Sequence, residues 1–133
     1  MLLLDTNALL WGLTDDRRLG GAARELIEEA ADRGAASVSA FSFWEVAMLT
    51  TKGRLKFGIT PEQVRSFALN RGVSELPVTG EIGIAAAQLR GFHPDPADRI
   101  IAATALHHRA MLVTADEHIL GWDGPLERVD ARR

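Results

Sequence analysis

The hydrophobic period changes repeatedly along this chain, and that alternation narrows the folds open to it. Leu2-Leu3-Leu4 is a short, solid apolar run stopped by Asp5, the pattern of a strand buried on both faces. Residues 22–33 then switch to a helical period. Ala22, Ala23, Leu26, Ile27, Ala30 and Ala31 share one face, Arg24, Glu25, Glu28, Glu29, Asp32 and Arg33 the other, and Gly34 ends the run. Ala36 to Ser39 reads as a second strand. Ser42-Phe43-Trp44-Glu45 has the form of a capping box opening a helix to about Gly53, and Thr60-Pro61-Glu62-Gln63 opens another. Val73 to Val78 reads as a third strand, Glu81 to Arg90 as a helix, and Gly91-Phe92-His93-Pro94 as a loop. Asp95-Pro96-Ala97-Asp98 starts a helix reaching about Arg109. Its Ile100, Ile101, Ala102, Ala103, Ala105 and Leu106 cover most of the circumference, so it belongs between layers. Met111 to Val113 is a fourth strand, Asp116 to Leu120 a short helix, and Leu126 to Val129 a last edge strand. Arg132-Arg133 is expected to fray. Strands alternating with helices give an α/β fold, its mostly parallel sheet covered on both faces.

At 133 residues and 47% hydrophobic composition, residues 1–133 make one domain with a real core. The formal net charge is −3, from 15 basic and 18 acidic residues, which argues against a broad charge-driven grip on nucleic acid. It leaves room for nucleic acid reached through metal ions and a local basic patch. There is no cysteine, so thiolate zinc sites, disulfides and cysteine nucleophiles are excluded. The start lacks the basic n-region of a signal peptide, and the most apolar stretch is far shorter than the roughly 20 residues that span a bilayer. A cytoplasmic protein without a membrane partner is expected.

Ligands of open α/β sheets bind beyond the carboxyl ends of the strands. Asp5 directly follows the first strand, and Asp116 follows the fourth after Thr114-Ala115. Glu45 and Asp98 lie in the first turns of helices, whose N-termini reach the same edge in right-handed strand–helix–strand units. Four carboxylates from distant segments therefore converge. Such a set suits magnesium, which takes hard oxygen donors, and two such ions about 4 Å apart can clamp an in-line displacement at phosphorus. Each acid taken alone reads first as a helix cap or dipole partner. Asp5 is the exception, because a charge set against a buried strand must be paired or bound.

Four segments, in this order, resemble the PIN-domain family, and within it the ribonuclease toxins of VapBC-type toxin–antitoxin pairs: Leu3-Leu4-Asp5-Thr6-Asn7, Ser42-Phe43-Trp44-Glu45, Asp95-Pro96-Ala97-Asp98-Arg99-Ile100-Ile101-Ala102, and Leu112-Val113-Thr114-Ala115-Asp116. The resemblance covers essentially the whole chain. It implies a three-layer α/β/α fold with about five strands, and magnesium- or manganese-dependent endonucleolytic cleavage of RNA. It places the metal-site carboxylates on Asp5, Glu45, Asp98 and Asp116, and polar supporting groups on Asn7 and Thr114. Asp95 reads as a cap first and a supporting acid second. A homodimer and a cognate antitoxin are the implied protein partners. The family also contains inert scaffolds, so a non-catalytic binding module is the competing function.

Lys52, Arg54 and Lys56 form the densest basic run; it suits RNA phosphates and a solvated loop about equally. His93, His107 and His108 lack the spacing of a zinc motif and read as surface or loop residues, while His118 stands near Asp116. Trp11, Trp44 and Trp122 read as core or interface. A haloacid-dehalogenase phosphatase needs an acid where Asn7 stands. A receiver domain needs a late lysine, and none follows Lys56.

Overall fold

The computed structural model describes residues 1–53 and 58–133. Its element order is β1 (Leu2–Leu4), α1 (Thr6–Leu13), α2 (Gly21–Asp32), β2 (Ala36–Ser39), α3 (Ala40–Thr51), α4 (Pro61–Asn70), β3 (Val73–Leu76), α5 (Gly80–Ala87), α6 (Pro96–His108), β4 (Met111–Thr114), α7 (Glu117–Leu120) and β5 (Arg128–Asp130). The five strands form one wholly parallel sheet in the order β3-β2-β1-β4-β5. From β1 the chain first moves outward through β2 and β3. It then returns to the other side of β1 for β4 and β5. The reversal falls between β1 and β4, where open sheets form a crevice beyond the strand ends.

The pleat sorts the core. Leu2, Leu4 and Val113 face one layer with residues of α1, α2 and α4, whereas Leu3 and Leu112 face the other with Ile101, Ala102 and Ala105 of α6. A smaller cluster of Leu10, Val46 and Val64 joins α1, α3 and α4, and Ile82 and Ala86 of α5 pack on Ala103 of α6. The long apolar circumference of α6 thus has two clients, the sheet and α5. Among the described residues no helix is long and apolar enough to cross a membrane.

Three local expectations are corrected. The chain turns into α1 immediately after Asp5, where the sequence pattern had shown no helix. Beyond Asp5-Thr6-Asn7 the run from Ala8 to Leu13 carries no polar side chain, so no amphipathic period marks the change from strand to helix. Second, α3 begins at Ala40, capped by Ser39, whose hydroxyl accepts from Phe41 N at 3.1 Å. Ser42 is therefore a fully buried residue inside the helix and not its cap. Third, the C-terminus is held. Gly20 N donates to Ala131 O at 2.9 Å and Ala22 N to Arg133 O at 3.0 Å. A Cβ on Gly20 would overlap the Arg133 backbone at 2.1 Å, so glycine lets the tail lie against the start of α2. The helix start at Thr60 is a full capping box, as read from sequence.

Candidate metal and active site

Asp5 is fixed first, by its own backbone. Its N–H donates to Val113 O at 3.0 Å, continuing the β1–β4 ladder one residue past the strand. Its side chain then caps α1: Oδ1 accepts from Ala8 N at 2.8 Å, and Oδ2 accepts from the Thr114 hydroxyl at 2.5 Å. Both oxygens of this buried carboxylate are thereby engaged. Burial still dominates and pushes its pKa to about 6, the nearby Asp116 adding to the rise while the Thr114 and Ala8 bonds oppose it. Thr114 also accepts from Asp116 N at 3.0 Å, so one buried hydroxyl sets two of the four acids. Asp116 Oδ1 accepts from Ile119 N and caps α7.

Glu45 comes from the second turn of α3. Its Oε1 lies 2.5 Å from Thr6 Oγ1, which is also 2.9 Å from Ser42 Oγ. A hydroxyl has one proton, and donation to the carboxylate is the charge-assisted choice. Thr6 therefore orients Glu45, with Ser42 behind it. Burial raises the Glu45 pKa, the Thr6 bond opposes that rise, and Asp95 and Asp5 add to it.

Asp98 is held differently. Asp95 caps α6 by accepting from Asp98 N at 3.0 Å, but no backbone donor reaches the Asp98 carboxylate among the described contacts. Burial together with repulsion from Asp116, Asp95, Glu45 and Asp5 pushes its pKa to about 7. The same four neighbours that raise Asp98 are the acids singled out in the sequence, so the structure brings Asp5, Glu45, Asp95, Asp98 and Asp116 within electrostatic reach of one another. Asn7 is exposed on the first turn of α1. Lys52 is exposed at the end of α3, seven residues and about 10 Å along the axis from Glu45. Arg54 and Lys56 lie outside the described residues.

The spacing-based reading of the histidines missed His93. Its Nε2 stands 3.1 Å from Asp98 Oδ2, yet it is buried and makes no hydrogen bond of acceptable geometry. Donor atoms of His93, Asp98 and Asp116 lie within 4.8 Å of one another. The loop that carries the ring is clamped from below. Arg99 donates to the carbonyls of Phe92 at 2.7 Å, His93 at 2.9 Å, Ala86 at 3.0 Å and Leu89 at 3.3 Å. Trp122 donates to Arg90 O at 2.9 Å and meets Phe92 edge-on. No spacing rule reveals such a residue, because the path of the loop held by Arg99 sets it against Asp98. Trp11 and Trp122 are core residues, whereas Trp44 is 56% exposed beside Phe41.

Several carboxylates that repel one another, together with a buried nitrogen that makes no hydrogen bond, are a donor set that fits a divalent cation. The model of the PIN domain matches residues 2–122. The chain belongs to the PIN-domain family. Ribonuclease VapC22 of Mycobacterium tuberculosis is 34% identical to this PIN domain over 119 residues, 89% of this chain and 88% of that protein. Two solved structures share the fold over nearly the full length. VapBC2 of Rickettsia felis, bound to a promoter DNA fragment, aligns with a TM-score of 0.69 at 18% identity, over 96% of each chain. The DNA-bound VapBC of Salmonella typhimurium aligns with the same TM-score and identity, over 98% of each chain.

Proposed function

We propose that this PIN domain is a divalent-metal-dependent endoribonuclease, the toxin of a toxin–antitoxin pair, with Asp5, Glu45, Asp98 and Asp116 as its working acids. The observation that carries this reading is the meeting of four acids, from four separate segments, in the crevice where the strand order reverses. Its relation to a named ribonuclease supports it. Magnesium suits the oxygen donors, and manganese can take its place.

A bound cation would supply positive charge to a phosphodiester and make water at the site a stronger acid. The chain's own residues do the remaining work. Asp5, locked by Ala8 and Thr114, gives the site a fixed floor. Asp98 and Asp116, with donor atoms within 4.8 Å of each other, would hold the cation. Glu45 has Oε1 engaged by Thr6, which leaves Oε2 to take a proton from attacking water. Thr6 and Thr114 keep both carboxylates in place before substrate arrives, so little reorganisation remains to be made at reaction.

The proposed protein partners are a second copy of the chain and a cognate antitoxin, in the cytoplasm. An antitoxin arginine would suit the acids by bidentate pairing. A cleft of about 540 Å³ away from the acids, bordered by Leu9, Leu13, Leu19 and Ile27 with Arg24 and Glu28, offers apolar surface to a helix of such a partner. Purified protein should cut single-stranded or looped RNA with magnesium or manganese and stop in chelator. RNA cleavage that persists in chelator would overturn the metal reading, and wild type that binds RNA but never cuts it would mark a binding module.

A further inference from the structure

We infer that His93 is itself a ligand of the catalytic cation, giving this site one nitrogen donor beside Asp98 and Asp116 and a preference for manganese over magnesium. The inference rests on the metal-dependent reading above and deepens it by naming the ion.

Three observations carry it. The first is placement: a ring nitrogen of His93 stands with one oxygen each of Asp98 and Asp116 in a group no wider than 4.8 Å, and Nε2 is the nitrogen nearest Asp98, 3.1 Å from its Oδ2. The second is the state of that atom, which lies 3.1 Å from Asp98 Oδ2 without the geometry of a hydrogen bond. A buried ring nitrogen without a hydrogen bond is costly, and His93 Nε2 is the one such side-chain atom among the described residues. A cation in the group would satisfy it. The third is the effort spent on holding the ring. The Arg99 fork ties down the carbonyls of residues 92 and 93, and the ring stacks with Phe92 at 5.0 Å and with His118 at 4.4 Å. A histidine that merely covered the surface would need no such fixing.

The ion follows from donor chemistry. Magnesium favours all-oxygen, near-ideal octahedral surroundings and gives up its water reluctantly. Imidazole is a softer donor that suits later first-row ions, and manganese is the member of that row which still accepts carboxylates readily. Ligation needs the Nε2 lone pair, so the ring proton sits on Nδ1.

The test uses full-length wild type with manganese or magnesium chloride alone, without RNA. Manganese electron spin-echo spectra of the wild type should show coupling to an imidazole nitrogen. The coupling should vanish in His93→Gln and persist in His118→Gln. Titration calorimetry should show manganese binding weakened by at least about tenfold in His93→Gln, the lower end of what even an outer-shell partner of a metal ligand contributes. Magnesium binding should change less. Matching melting curves in chelator establish that His93→Gln is folded, and His93→Asn serves if it is not. Tight manganese binding without nitrogen coupling, or coupling lost in His118→Gln instead, would overturn the inference and leave the carboxylate site standing. Wild type binding manganese no better than Asp98→Asn would instead sink the metal site as a whole, and this inference with it.

Discussion

Asp5 and Asp98 are the same residue at opposite sides of one crevice, and the fold treats them in opposite ways. Around Asp5 both carboxylate oxygens are occupied, by Ala8 N and the Thr114 hydroxyl. Around Asp98 the neighbours are acids and an off-angle imidazole. Burial raises both, but Asp98 goes further, to about 7 against about 6, because it has no donors to offset the repulsion. The comparison teaches a division of labour: the β1–β4 junction supplies its carboxylate with donors by folding alone, whereas the start of α6 supplies none.

The largest expected effect tests the side without donors. Asp98→Asn keeps the shape and removes the charge, and should lower metal-dependent RNA cleavage by at least about a hundredfold. Gel assays at saturating metal would measure it, and a variant within a few-fold of wild type would place the cation elsewhere. The side with donors is sharpened by Thr114→Val. This leaves a buried carboxylate oxygen without its donor and should cost about 2 kcal/mol of stability, metal or no metal, read from denaturant melts. A neutral result would mean that the Asp5–Thr114 bond is dispensable. Asp95→Ala, the loss of an exposed N-cap, should cost about 1 kcal/mol or less, because removing a neighbouring negative charge offsets part of it. The loss should be the same in chelator and in magnesium; a difference between the two would make Asp95 a member of the site.

The last expected effect is a slope with pH and not a single difference. An acid with a raised folded pKa binds its proton more tightly in the native state than in the unfolded chain. The stability it adds is therefore present at low pH and lost as pH rises from about 4 to about 7. In chelator, wild type should lose stability across that window relative to Asp98→Asn. Parallel melting curves at all pH values would show that Asp98 is not strained by its neighbours.

How much of this was legible in the sequence depends on whether the signal was local. The apolar runs of β1 and β4 and the box at Thr60 carry their own patterns and stand where the sequence reading put them. The direction of the sheet follows from strand–helix alternation. The helix after Asp5 was hidden because Ala8 to Leu13 extends the apolar run without an amphipathic period. The start of α3 was misplaced because two serines, Ser39 and Ser42, both have the chemistry of a cap, and only burial of Ser42 against Thr6 separates them. Arg132 and Arg133 read as a free basic end, yet the tail is fastened to Gly20 and Ala22 across more than a hundred residues. Of the candidate site, Asp5, Asp98 and Asp116 were visible as acids at element ends and Glu45 as an acid near a helix start. Thr6, His93 and Arg99 were not, because their partners are set by packing and not by spacing.

The bond between Asp5 and Thr114 joins residues 109 positions apart. Closing so long a loop is slow compared with forming any of the helices it encloses. A chain made from its N-terminus therefore leaves Asp5 without its Thr114 donor until the fourth strand is complete. The Asp5–Thr114 bond therefore forms only once the fourth strand lies beside the first.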